Sequence, residues 1–105
     1  HIVKHLPVMA ASANAMVHDA IEAFIDQDLD AAMEIIERDD EVDTLFNQVK
    51  DDVIHLLQSS PDQADQGIDL LMVAKYLERI GDHAVNVCEW TQFSKTGALK
   101  NVRIM

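Results

Sequence analysis

From Leu6 the apolar positions Leu6, Met9, Ala13, Met16, Ala20 and Phe24 step by three and four, the spacing that turns one stripe of a helix toward a core. Pro7 suits a first turn, so a helix is predicted from about Pro7 to Asp26. The polar stretch DQDLD offers acidic caps and a short turn. A second periodic segment runs from about Leu29 to Ser59 and carries Leu29, Met33, Ile36, Val42, Phe46, Val49, Val53 and Leu56; it predicts one long helix. SSPDQADQG is the only loop-like stretch. Beyond it Leu70, Val73, Ala74, Leu77, Gly81, Ala84 and Cys88 mark a third helix, which Lys95 and Gly97 close. Short connections between long helices make neighbours antiparallel, so the pattern predicts an all-α, up-down-up three-helix bundle over residues 1–105.

Composition agrees with one helical domain. The chain has 105 residues, two prolines, three glycines and 49% hydrophobic residues, which leaves little punctuation for sheet folds. A compact domain of this size buries roughly 65% of its unfolded surface. Nineteen acids against eight bases give a formal charge of -11, which repels nucleic-acid backbones and anionic lipid headgroups and excludes them as direct partners. The single cysteine, Cys88, rules out a disulfide framework and fits a reducing compartment, with cytoplasm as the default. No window holds the ~20 apolar residues a membrane span needs, so no membrane insertion is expected. The chain starts at His1 rather than methionine, as a fragment of a longer protein would.

Candidate chemistry lies in two acidic rows. In YLERIGDHAVNVCEW, Glu78, Asp82 and Asn86 stand at i, i+4 and i+8, and in DDEVD, Asp39 and Asp43 stand at i and i+4. If the connection folds about Pro61, positions whose numbers sum to about 122 lie at one height, which sets Asp43 near Arg79 and Asp40 near Asp82. The two rows then meet across one interface. Gly81 falls at that height on the core stripe, where a glycine that costs the helix roughly 0.5 to 1 kcal/mol is kept for close approach.

Two unit charges about 5 Å apart interact by roughly 3 kcal/mol at an effective dielectric near 20, so four ionised acids in one place oppose the packing that gathers them. Protonation, pairing with Arg38, Lys75 or Arg79, exposure to water, or a bound hard cation would relieve the repulsion. The row is therefore either a solvated acidic shoulder or a metal site. An oxygen-rich set suits Fe3+, Zn2+, Mg2+ or Ca2+, with Asn86 able to orient a ligand or a water. General acid-base catalysis has less support, because no nucleophile elbow or phosphate-cradling glycine loop is present, and the chain reads as a non-enzyme.

AKYLERIGDHAVNVCEW resembles the signature of PhoU proteins, in which a helix carries E-R-I-G-D followed by alanine and asparagine. ERDDEVDTL resembles the partner motif of that family, with its D-x-x-V-D core. Both motifs occur in the family order and at the family spacing. The resemblance implies a three-helix PhoU domain whose E/D-x-x-x-D motifs bind multinuclear iron or zinc clusters, and it points to Asp39, Asp43, Glu78 and Asp82 as metal ligands with Asn86 nearby. It further implies an adaptor in negative regulation of phosphate uptake and phosphate-starvation signalling. Its implied partners are the phosphate ABC transporter's ATPase subunit, a phosphate-sensing histidine kinase, and a sister PhoU domain or second copy. Family members commonly hold two such domains in tandem, and this chain has room for one; its EW after the signature resembles the C-terminal half. Arg38 stands where a further acid would have enlarged the ligand set.

The remaining residues read as structure. His5, His18, His55 and His83 are expected at the surface or boundary, with only His83, beside Asp82, near the chemistry. Asp52 and His55 form an acid-x-x-His step that lacks the second step a di-iron bundle requires. Cys88 reads as a buried thiol, and Met9, Met16, Met33 and Met72 as core filling. Tyr76 and Trp90 lie on an edge expected to meet a sister domain or a partner. Lys95, Lys100 and Arg103 give the tail a weak positive charge.

Overall fold

The computed structural model describes residues 3–94, and among these the chain is helical with no strand. Three long helices, α1 (His5–Asp26), α3 (Asp39–Ser59) and α4 (Ala64–Gln92), are joined by the short α2 (Leu29–Glu37) and a single 3-10 turn at Pro61–Gln63. The expected closure of the last helix by Lys95 and Gly97, and the basic tail, lie outside the described residues.

The core is most of the stripe that the spacing predicts. Phe24 and Val73, expected on it, are 41% and 47% exposed, because the neighbouring alanines Ala23 and Ala74 take the close contacts. Met9, Ala13, Met16 and Ala20 of α1 meet Val42, Val49 and Val53 of α3 and Ala74, Ala84 and Cys88 of α4, all buried. Alanines and Gly81 at the contacts let the helix axes approach closely. Cys88 is a buried free thiol, as expected, and burial pushes its pKa up. Two of the methionines depart from expectation: Met33 and Met72 are 52% and 65% exposed. Buried alanines take their places, Ala32 on α2 and Ala74 on α4, one or two positions round each helix.

The segment expected to be one helix from Leu29 to Ser59 is two. It breaks at Arg38, whose backbone N–H donates to Glu34 O at 3.2 Å and Ile35 O at 3.0 Å before α3 begins. Asp39, Asp40 and Glu41 then form the first turn of α3, where acids complement the partial positive charge of a helix N-terminus. The guanidinium of Arg38 is tied to Asp19 of α1 at 2.8 Å, which anchors the break to the bundle.

SSPDQADQG also departs from the loop it was expected to be. Pro61 opens the 3-10 turn and α4 starts at Ala64. Gly67 is buried, and a Cβ there would lie 3.1 Å from Leu57 Cδ2, so this glycine serves close packing and not a turn.

Contacts between helices fix the heights. Along α1 and the α2–α3 segment His5 meets Asp52, Ser12 meets Glu41 and Asp19 meets Arg38. Along α3 and α4 Leu57 meets Gly67, Phe46 meets Lys75 and Asp39 meets Gly81, each pair within two positions of the register set by Pro61. Val17 of α1 shares a groove with Ile80 of α4, and Phe24 shares one with Trp90.

His5 lies at the boundary, as expected, and is tied into the fold. Lys4 precedes α1 without capping it, and Asp52 of α3 supplies the missing acceptor: its Oδ2 takes the backbone N–H of His5 at 3.2 Å and the imidazole Nδ1 at 2.7 Å. Both side chains are half-buried. Replacing a cap of this kind typically costs about 1–2 kcal/mol. Asp52→Ala is expected to lower stability by that amount in urea unfolding; an unchanged midpoint would show that the contact carries no weight.

Candidate functional site

Asp39 opens α3 and Asp43 follows one turn later, while Glu78, Asp82 and Asn86 step along α4. The two rows meet where Gly81 faces Asp39. A Cβ on Gly81 would lie 3.3 Å from Asp39 Oδ1 and 3.5 Å from Val42 Cγ1, so the bare backbone of α4 is what makes room for that carboxylate. Asp39 Oδ1 is buried and, among the described residues, finds no hydrogen-bond partner. An unpaired buried carboxylate oxygen is costly and calls for something to satisfy it.

The electrostatics agree. Burial pushes the pKa of Asp39 up, and the charges of Asp43, Asp82, Asp40 and Glu78 push it further. Asp43 is raised by burial too, then by Glu78, Asp82 and Asp40, with Lys75 acting against the rise. The four acids singled out in the sequence thus share one field, joined by Asp40. Asp43, Asp82 and Asn86 are exposed, Asn86 one turn beyond Asp82. Glu78 is more enclosed, with its side chain 19% exposed, and its Oε1 lies 2.8 Å from Lys75 Nζ. His83 is turned to its own helix, its Nδ1 2.8 Å from Arg79 O.

A raised carboxylate pKa has a definite sign in stability. Above the folded-state pKa the acid is charged in both states and the penalty is complete; as pH falls through the raised value the folded protein takes up the proton first and the penalty is lifted. Asp39→Asn is therefore expected to raise the melting midpoint of the metal-free protein near pH 7 by a few degrees, with the gain shrinking on acidification toward pH 4. A gain equal at both pH values would contradict the repulsion argument.

The acids do not already form a closed coordination shell. Among the described residues, the set of three or more His, Cys, Asp or Glu side chains whose ligand atoms all lie within 4.8 Å is His18, Asp19 and Glu22 on α1. One member of that set is engaged outside it, Asp19 Oδ2 with Arg38 at 2.8 Å, while its Oδ1 lies 3.3 Å from His18 within the set. These hydrogen bonds, that to Arg38 foremost, lower the pKa of Asp19. Asp39 differs from this surface set in having a buried oxygen with nothing on it.

Lys75, one of the three cations expected to pair with the acids, holds Glu78; it also lies over the ring of Phe46, 5.4 Å from its centroid, a contact sequence reasoning missed. The i, i+3 spacing of Lys75 and Glu78 was a signal for the first contact. Nothing local signalled the second.

Comparison with known proteins places the chain. The PhoU domain matches residues 6–91, which contain both acidic rows. The chain belongs to the PhoU family. It is 36% identical over 96 residues to the phosphate-specific transport system accessory protein PhoU homolog of Clostridium acetobutylicum, covering 91% of this chain and 44% of that protein. The homolog of Zymomonas mobilis is 36% identical over 97 residues, covering 92% of this chain and 41% of its own length. PhoU homolog 1 of Thermotoga maritima is 31% identical over 102 residues, covering 97% and 43%. The chain thus spans less than half the length of these curated relatives. No solved structure gives a significant match. Among the described residues no helix is long and apolar enough to cross a membrane.

Proposed function

We propose that this chain is a single PhoU domain, an up-down-up three-helix module that binds a metal through Asp39, Asp43, Glu78 and Asp82 and works as an adaptor in negative regulation of phosphate uptake. The contact order supports the topology: numbers fall along α3 as they rise along α1 and α4, and rise together along α1 and α4. One observation carries the metal reading, the buried and unpaired Asp39 Oδ1 held against Gly81 at the meeting point of two carboxylate rows.

The donor set fits a hard or borderline cation, iron or zinc foremost, with magnesium or calcium as oxygen-seeking alternatives. When bound, such an ion neutralises the carboxylates and supplies a positive site in an otherwise anionic protein. Asp39 presents its unsatisfied oxygen; the exposed Asp43 and Asp82 are free to swing inward; Glu78 closes the side nearest Lys75. Asn86, one turn on, adds a neutral donor able to orient a ligand or a water. A protein with a charge of -11 does not attract phosphate by its own field, so phosphate sensing runs through the bound cation or through a partner.

The proposed partners are the phosphate transporter's ATPase subunit and a phosphate-sensing kinase, in the cytoplasm, with a sister domain or second copy against the edge bearing Tyr76 and Trp90, 65% and 45% exposed. The relatives' printed names, accessory proteins of phosphate-specific transport, support an adaptor and not an enzyme. Two-hybrid pairing of this chain with the ATPase subunit tests the adaptor role: association is expected, and its absence counts against the role. The reading of a solvated acidic face without metal draws on the exposure of Asp43 and Asp82 and on the open arrangement of the four ligand groups.

A further inference from the structure

The four acids stop short of converging: Asp43 and Asp82 are exposed, and Glu78 is engaged by a cation. Glu78 faces the field of Asp39 and Asp43, yet its Oε1 is taken at 2.8 Å by Lys75 Nζ, three residues earlier on α4. The ammonium also sits 5.4 Å from the ring centroid of Phe46, which lies three residues after Asp43 on α3. Lys75 therefore spans the same interface as the carboxylates, at one end of them, with its charge opposing their repulsion at Asp43.

We propose that Lys75 is a built-in counter-ion: it occupies Glu78 while the acidic cluster is empty and leaves for solvent when a cation binds. The inference rests on the reading of the cluster as a metal site. An ammonium suits the role because it is a compact point charge on a flexible stem, and a strongly hydrated one. It holds Glu78 firmly enough to order it, since the carboxylate is mostly enclosed, while the lysine side chain is 54% exposed and can withdraw into water with little loss. The ring of Phe46 gives the stem and charge a seat on the opposite helix. An ammonium and a metal cation on one carboxylate repel each other, so the two compete for Glu78.

Competition has a direction that a purely structural role lacks. Lys75→Met keeps the stem and removes the charge, and metal-stripped Lys75→Met protein is expected to bind Zn2+ about three- to tenfold more tightly than wild type in calorimetric titration. Lys75→Arg, which keeps a cation on Glu78, should not tighten binding. A second readout needs no variant: the ε-CH2 signals of Lys75, shifted by the ring of Phe46 in the metal-free protein, should move to ordinary solvent-exposed positions as Zn2+ is added. Zn2+ binding to wild type with equal or weaker affinity in Lys75→Met, or with unmoved Lys75 signals, overturns the counter-ion role while leaving the metal site standing. Failure of both Zn2+ and iron to bind either protein overturns the metal reading and this inference with it.

Discussion

Replacing Asp43 and Glu78 together, by Asp43→Asn and Glu78→Gln, is expected to leave the helices in place and to remove the stabilisation that the proposed bound cation would give. At a free ion concentration 100 times the dissociation constant, binding adds about 2.7 kcal/mol to wild-type stability. For a domain of this size that is a rise of about 10 °C or more in melting midpoint. The double variant keeps Asp39 and Asp82 but loses one acid from each helix, so no ion can bridge the two rows with four carboxylates. The ion-induced rise should fall to within error. Without metal the variant should melt no lower than wild type, because the burial and the repulsion that raise the pKa of Asp43 no longer act on a charged group. Circular-dichroism melts with and without Zn2+ or iron read both effects. A variant that keeps the full rise would move the ligands elsewhere, and His18, Asp19 and Glu22 would be the next set to mutate.

Gly81→Val attacks the same site from the backbone side. The new Cβ would stand 3.3 Å from Asp39 Oδ1 and 3.5 Å from Val42 Cγ1, and the two methyl groups need more room than that. Overpacking of this kind costs typically 1–3 kcal/mol, and a β-branched residue recovers little of what a glycine costs a helix. We expect a loss of about 2 kcal/mol in urea unfolding together with a drop of tenfold or more in cation affinity, because Asp39 must turn away from α4. Gly81→Ala separates the two effects. Its helix gain of up to about 1 kcal/mol offsets the contact with Asp39, leaving stability near wild type while affinity still falls. A Gly81→Val protein as stable as wild type would show that the interface has slack and that Gly81 is not the seat of Asp39.

What could be read in advance depended on how far apart in the chain the cause lay. The core stripe of α1 and the meeting of Asp39 with Gly81 follow from local spacing plus one turn at Pro61. The break at Arg38 did not show, since the apolar period runs on from Ile36 to Val42; the acids that restart the helix there looked like ligands and nothing more. Ala64 to Gly67 were read as loop because polar residues dominate, although a short turn opened by Pro61 suffices and Gly67 packs against Leu57. Met33 and Met72 look like core residues by type, but an adjacent alanine fits a close helix contact better. The capping of His5 by Asp52 joins residues 47 positions apart and leaves no local trace. Of the site, the carboxylates were legible as two rows; the enclosed state of Asp39 Oδ1 and the seat of Lys75 on the ring of Phe46 needed the packing of α3 on α4.

The central claim is that the two rows exist to hold a cation, and its most direct test is elemental analysis of the whole chain purified without a metal-affinity step. The account predicts at least one equivalent of iron or zinc per chain. A folded protein with no bound metal, and none taken up from added iron or zinc, would contradict it and leave Asp39, Asp43, Glu78 and Asp82 as an acidic face toward water or a partner.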